Sequence, residues 1–172
     1  MNFKSTLLLL ASFFFSYTLE AQIPDYNDPD TYAKEVFSAV KSNNRQPLAK
    51  FLLKKEEDKE YITDVYIKSD PDTNANPVNK AIKKLIDQQK WDLESDFTAL
   101  TKKGQNEKIY WAKAIITNIQ HTPIVKKKVA IPETQFVVEF SSKGKNYNVS
   151  WKAIKGKTSW LMGRDLKMDT AK

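Results

Sequence analysis

The chain contains no cysteine. That excludes disulfides, thiolate metal ligands and attachment of lipid to a cysteine following a leader. It contains one histidine, His121, so a histidine-rich zinc site is excluded as well. Only four glycines occur in 172 residues, which argues against repeat and low-complexity architectures. Neither G-x-G-x-x-G nor G-x-x-x-x-G-K-S/T is present, so the two commonest nucleotide-phosphate cradles are missing. No G-x-S-x-G elbow supports a serine nucleophile. Arginine is scarce too. Of 28 basic residues only Arg45 and Arg164 are arginine, and recognition of bases and phosphates favours the guanidinium fork. The sequence therefore argues against a nucleic-acid partner despite a net charge of +7. The lysines are scattered among Asp and Glu, and the densest run, Lys126-Lys127-Lys128, falls in an expected loop.

Long apolar runs are also rare. The one candidate is residues 7–15, about half the roughly 20 residues that a spanning helix needs. It follows Lys4 and precedes Leu19-Glu20-Ala21, which is the pattern of a secretory signal peptide ending near Ala21. The expected location is therefore outside the cytoplasm, periplasmic or extracellular, with no transmembrane segment. Cleavage removes Lys4 and Glu20 and leaves the charge balance unchanged. The remaining length suits one domain with a single core. The expected organisation is signal peptide 1–21, flexible lead-in 22–28 and a single domain 29–172.

The domain's first half reads as helix. Asp28 can cap, Pro29 suits the first helical position, and Tyr32, Val36 and Val40 make one apolar face with Asn43-Asn44 as a stop. Pro47 opens a short second helix through Leu48, Phe51 and Leu52. Residues 54–70 suit a helix, although their β-branched and aromatic content also suits a strand. Residues 69–77 read as a loop. Asp70, Asp72 and Asn74 alternate like the start of a calcium loop, but Ala75 and Ala81 stand where glycine and glutamate are needed. Val78, Ile82, Leu85, Ile86, Leu93, Phe97 and Leu100 define a helical stripe that Gly104 closes. The stripe lacks an apolar contact at Gln88-Gln89-Lys90, so one long helix and two in tandem both fit.

After Gly104 the period changes to two. A long strand is expected over 109–121, then a loop over 122–133, then alternation around Phe136, Val138 and Phe140. Tyr147, Val149, Trp151 and Ala153 alternate with Asn146, Asn148, Ser150 and Lys152. A turn at 155–157 leads to a last strand in which Trp160, Met162, Arg164, Leu166 and Met168 share a face. Short turns between the strands predict an antiparallel meander. The fold class is α+β, with N-terminal helices packed on the apolar face of a curved antiparallel sheet of four or more strands.

Helices, a long strand opened by Tyr110-Trp111, and the run GKNYNVSW…KGKTSWLMGRDLKM together resemble the cystatin-like α+β roll of the nuclear-transport-factor-2-like superfamily. The resemblance covers about residues 29–168 and is closest in kind to small exported bacterial members. It implies a cone-shaped fold. The superfamily includes isomerases, dehydratases and transport adaptors, and its exported members are mostly of unassigned function. Enzymatic members place an Asp-His pair or a Tyr/Asp set inside the cone, and His121 alone does not supply one. The candidate ligand site is Arg164 at the mouth of the cone, where its guanidinium would take an anion. Trp111, Tyr147, Trp151 and Trp160 would be the aromatic walls. For Arg164 the competing reading is an ion pair at the rim. For the four aromatics it is plain core. No cofactor and no metal are expected. The best functional reading is a non-catalytic binding module for a small anionic or apolar ligand, a peptide or a partner protein. One alternative is a small isomerase- or hydrolase-type enzyme of the same fold. Another is an adaptor that forms a homodimer through the outer sheet face.

Overall fold

The computed structural model describes residues 25–54, 56–69, 75–124 and 133–170. The leader over 1–21, residues 22–24 of the lead-in, Asp70, Asp72 and Asn74, the Lys126-Lys127-Lys128 run and Pro132 lie outside the described residues. Helix α1 spans Pro29–Lys41. Asp28 caps it, its carboxylate accepting from the Thr31 N–H at 2.8 Å. Asn43 ends it in the left-handed region at φ 50°. There the Asn44 N–H reaches the Ala39 carbonyl and the Asn43 N–H reaches that of Val40. Pro47 does start a helical turn, but it is a 3₁₀ turn over Gln46–Phe51. Residues 54–70 are helical from Glu56 to Ser69 (α2).

Helix α3 is a single element of 32 residues, Ala75–Asn106. The gap in its apolar stripe is spanned by Gln89, which is buried. Gly104 does not close it. The helix runs on to Asn106, and the left-handed residue is Lys108 at φ 53°. The Ile109 N–H bonds the Gly104 carbonyl and the Lys108 N–H bonds that of Gln105, which satisfies the last carbonyls. Gly104 has a packing role instead: a Cβ there would meet the Trp111 ring at 2.8 Å.

The sheet is antiparallel, open and curved. Its strands are β1 (Ile115–Ile124), β2 (Glu133–Ser142), β3 (Lys145–Lys155), β4 (Trp160–Met162) and β5 (Lys167–Thr170). They are ordered β1-β2-β3, with β4 and β5 both pairing with β3 at different points along it. The strand expected over 109–121 begins only at Ile115, because residues 111–113 form a 3₁₀ turn that lays Trp111 over Gly104. It then continues through Pro123. Lys143 and Gly144, at φ 51° and 73°, make the tight β2–β3 turn.

The main core joins Tyr32, Val36, Phe37, Val40, Leu48 and Phe51 to Leu93, Phe97 and Leu100 of α3 and to the inner residues of the sheet. Phe136, Val138, Phe140, Tyr147, Val149, Trp151 and Ala153 all face it, as the alternation predicted. A second cluster joins Leu53, Ile62 and Ile82 to Ile154 and Leu161. Ile154 and Leu161 alternate with Ala153 and Met162, so the β3–β4 ladder is buried on both faces.

The last strand departs from the sequence reading. It breaks between Met162 and Lys167. The Gly163 N–H donates to the Lys152 carbonyl, and the Lys152 N–H donates to the Arg164 carbonyl. Asp165 adopts φ 61°, and the Leu166 N–H is taken by the Asp96 carboxylate of α3 at 3.0 Å. Period two is lost across this break. Arg164 therefore does not share the buried face of Met162 and Leu166 but is exposed.

Candidate functional site

Arg164 points its guanidinium toward Glu133 of β2, at 3.5 Å. The four aromatics lie elsewhere. Trp151 is fully buried, stacks on Phe136 at 5.5 Å and donates its indole N–H to the Tyr32 hydroxyl at 3.2 Å. Burial pushes the Tyr32 phenol well above its ordinary range, so it stays protonated. Tyr147 and Trp111 stack on Phe140, at 5.5 and 5.3 Å. Trp160 packs edge-on to Phe136 and donates to the Asn27 carbonyl at 3.1 Å. These rings fill the space between α1 and the sheet, and Arg164 is not gathered with them. The rim ion pair is the placement that the structure gives to Arg164.

His121 stands on β1, 3.9 Å from the Asp30 carboxylate of α1. That separation is too long for a hydrogen bond, and both side chains are open to water, so they do not form a held acid–base pair. Among the described residues no group of His, Asp and Glu could hold a metal ion. No helix among them is long and apolar enough to cross a membrane.

The concavity with ligand-sized dimensions lies on the other side of the 3₁₀ turn, between that turn and α3. It has a volume of about 490 Å³, within the range of small-molecule sites. Ala49, Leu52, Leu53, Ile86 and Leu93 give it an apolar floor. Trp91 stands at its wall with 75% of its surface exposed, the most exposed large apolar side chain of the described residues. Gln89 builds the site from beneath. Its Nε2 donates to the Met162 carbonyl at 2.6 Å and its Oε1 accepts from the Leu53 N–H at 3.2 Å. One amide thus ties the floor segment, the long helix and β4 together. At the rim Arg45 pairs with Glu94 at 2.7 Å, whereas Lys54, Lys90 and Asp87 have no ion pair among the described residues.

Sequence reasoning missed this site because its apolar floor was assigned wholesale to core. The available signal was Trp91. A tryptophan immediately beside Gln88-Gln89-Lys90 falls off the buried stripe and has no packing reason to be there. No protein-family model, curated protein or solved structure matches this chain.

Proposed function

We propose that the protein is an exported, non-catalytic binding module of the nuclear-transport-factor-2-like kind, and that its ligand lies in the groove between the 3₁₀ turn and α3. The ligand class is an elongated apolar molecule with one anionic end. The observation that carries this reading is Trp91, a large ring left in water beside an apolar groove. Burying an aromatic face against a ligand offsets the hydration cost of exposing it, and isolated apolar floors of this size mark binding surfaces. Lys54 and Lys90 supply the anion preference, since neither is neutralised by a described neighbour. Export rests on the apolar run over 7–15 and the small residue Ala21.

Titration with dodecanoate, with dodecanol as the neutral control, tests the site. The expected result is a blue shift of tryptophan emission on adding the carboxylate. That shift disappears in Trp91→Ala and weakens severalfold in Lys54→Gln/Lys90→Gln. Emission unchanged by either amphiphile, or changed equally in Trp91→Ala, overturns the groove as the site. Export is tested separately by N-terminal sequencing of the exported chain, which is expected to start at or near Gln22. An intact Met1 overturns it.

A further inference from the structure

The two edges of the sheet are built differently. One edge is β4 and β5, three and four residues long, separated by a bulged break and lined by Arg164, Asp165, Lys167 and Asp169. Short strands, bulges and charge are the devices that keep a sheet edge from pairing with another chain. The other edge is β1, ten residues of IITNIQHTPI. It carries no Lys, Arg, Asp or Glu in a chain that is 28% charged. None of its side chains is buried, and among the described residues no strand pairs with its outer side. Ile115 at its start is 66% exposed and Tyr110 just before it is 45% exposed.

We infer that β1 is an interaction edge and that its occupant is β1 of a second copy of this chain, paired antiparallel about a twofold axis at Gln120. The irregularity between Ile116 and Asn118 and the proline at 123 bracket the usable stretch, 118–122. Proline is tolerated within an edge strand where its nitrogen faces away from the sheet. Period two then turns the backbone N–H and C=O groups of Ile119 and His121 outward as well. Pairing about Gln120 sets Ile119 opposite His121 of the second copy, an arrangement in which these outward groups bond each other. It also sets Asn118 opposite Thr122 and Gln120 opposite itself. Every cross-strand pair is uncharged, so no like charges oppose each other, which is what a self-complementary edge requires. The Gln120 amide donates to Glu139 at 3.2 Å, which holds the side chain on the outer face at the axis. A foreign strand would gain nothing from this symmetry, and a second copy does.

The contact is small beside a standard interface, and the copies each carry +7, so the dimer is concentration-dependent and strengthened by salt. Sedimentation equilibrium over a wide concentration series reads it directly. Wild type is expected to dimerise reversibly. His121→Pro removes an outward donor while leaving the β1–β2 ladder intact, and it is expected to weaken the dimer at least tenfold with little change in Tm. Gln120→Glu and Gln120→Lys, each alone, are expected to weaken it, and an equimolar mixture of the two is expected to recover a heterodimer. The recovery cannot come from a folding defect, because both variants share the altered position. A chain that stays monomeric at every concentration overturns the proposal. So does a dimer indifferent to His121→Pro and to both charged variants, and so does a monomer that instead captures an extended peptide along β1.

Discussion

Gln89 shows how one side chain decides between two readings of the same pattern. In the stripe of α3 a polar residue where an apolar one is due suggests a break between two helices. The structure keeps one helix, because both ends of the Gln89 amide are satisfied in the interior. Gln89→Leu leaves the buried Leu53 N–H and Met162 carbonyl unpartnered, and urea titration is expected to show a loss of about 1–3 kcal/mol. Trp151→Ala is expected to cost about 3–5 kcal/mol, as large-to-small core changes do. On the outer face Lys152 is paired with Asp165, so Lys152→Ala is expected to stay below about 1 kcal/mol. Two carboxylates near the break of the last strand titrate in opposite senses. The hydrogen bond from Lys152 holds Asp165 below its ordinary value. Its contribution is present above about pH 4 and is lost as pH falls through the lower folded value. Burial raises Asp96, despite the hydrogen bond from the Leu166 N–H. Its contribution is present below about pH 4 and is lost as pH rises through the higher folded value. Asp96→Asn keeps an oxygen for Leu166 and removes the buried charge. Thermal melts should show the variant gaining on wild type at pH 7, with the gain shrinking toward pH 3.

At the scale of elements, the ends of helices and strands are set by contacts that local rules do not contain. Gly104 is a strong stop signal by composition, yet α3 passes through it because the Trp111 ring lies against the place where a Cβ would be. Two principles therefore make opposite predictions for Gly104→Ala. Helix propensity favours alanine by about 1 kcal/mol. The 2.8 Å approach to a rigid indole opposes it. The expected outcome is a net loss of stability in denaturant titration, reversed to a net gain when Trp111→Leu is made in the same chain. The break between β4 and β5 follows the same logic. Nothing in SWLMGRDLKM announces that a carboxylate on α3 will take the Leu166 N–H, so simple alternation puts Arg164 on the wrong face. The turn at Lys143-Gly144 and the stop at Asn43 were legible, because each depends on the conformational freedom of one or two residues.

Across the whole molecule the two hydrophobic clusters are unequal. The large one binds α1, the end of α3 and the inner sheet face. The smaller one holds α2 chiefly through Ile62, with buried Asp58 accepting from the Lys157 N–H at 2.9 Å. Opening α2 exposes far less apolar surface than opening the β2–β3 ladder, so it is the lower-energy opening. Native-state hydrogen exchange is expected to find the amides of α2 exchanging before those of Phe136, Val138 and Val149. Equal protection across these elements would show that the two clusters act as one unit.

The sequence by itself determined what depends on periodicity and on local conformational preference. Helices come first, an antiparallel meander follows, and the inner face of β2 and β3 can be named residue by residue, because side-chain alternation along an unbroken strand admits no other arrangement. The absence of cysteine and the single histidine likewise settled which metal and redox chemistries are unavailable. Tertiary structure decided the rest. It buried Gln89, left Trp91 in water beside a groove, turned Arg164 outward across a break and left β1 as an uncharged open edge. Each of these depends on which distant group meets a backbone N–H, a ring or a carbonyl. Such meetings are fixed only when the whole chain is packed, so no local pattern could have encoded them.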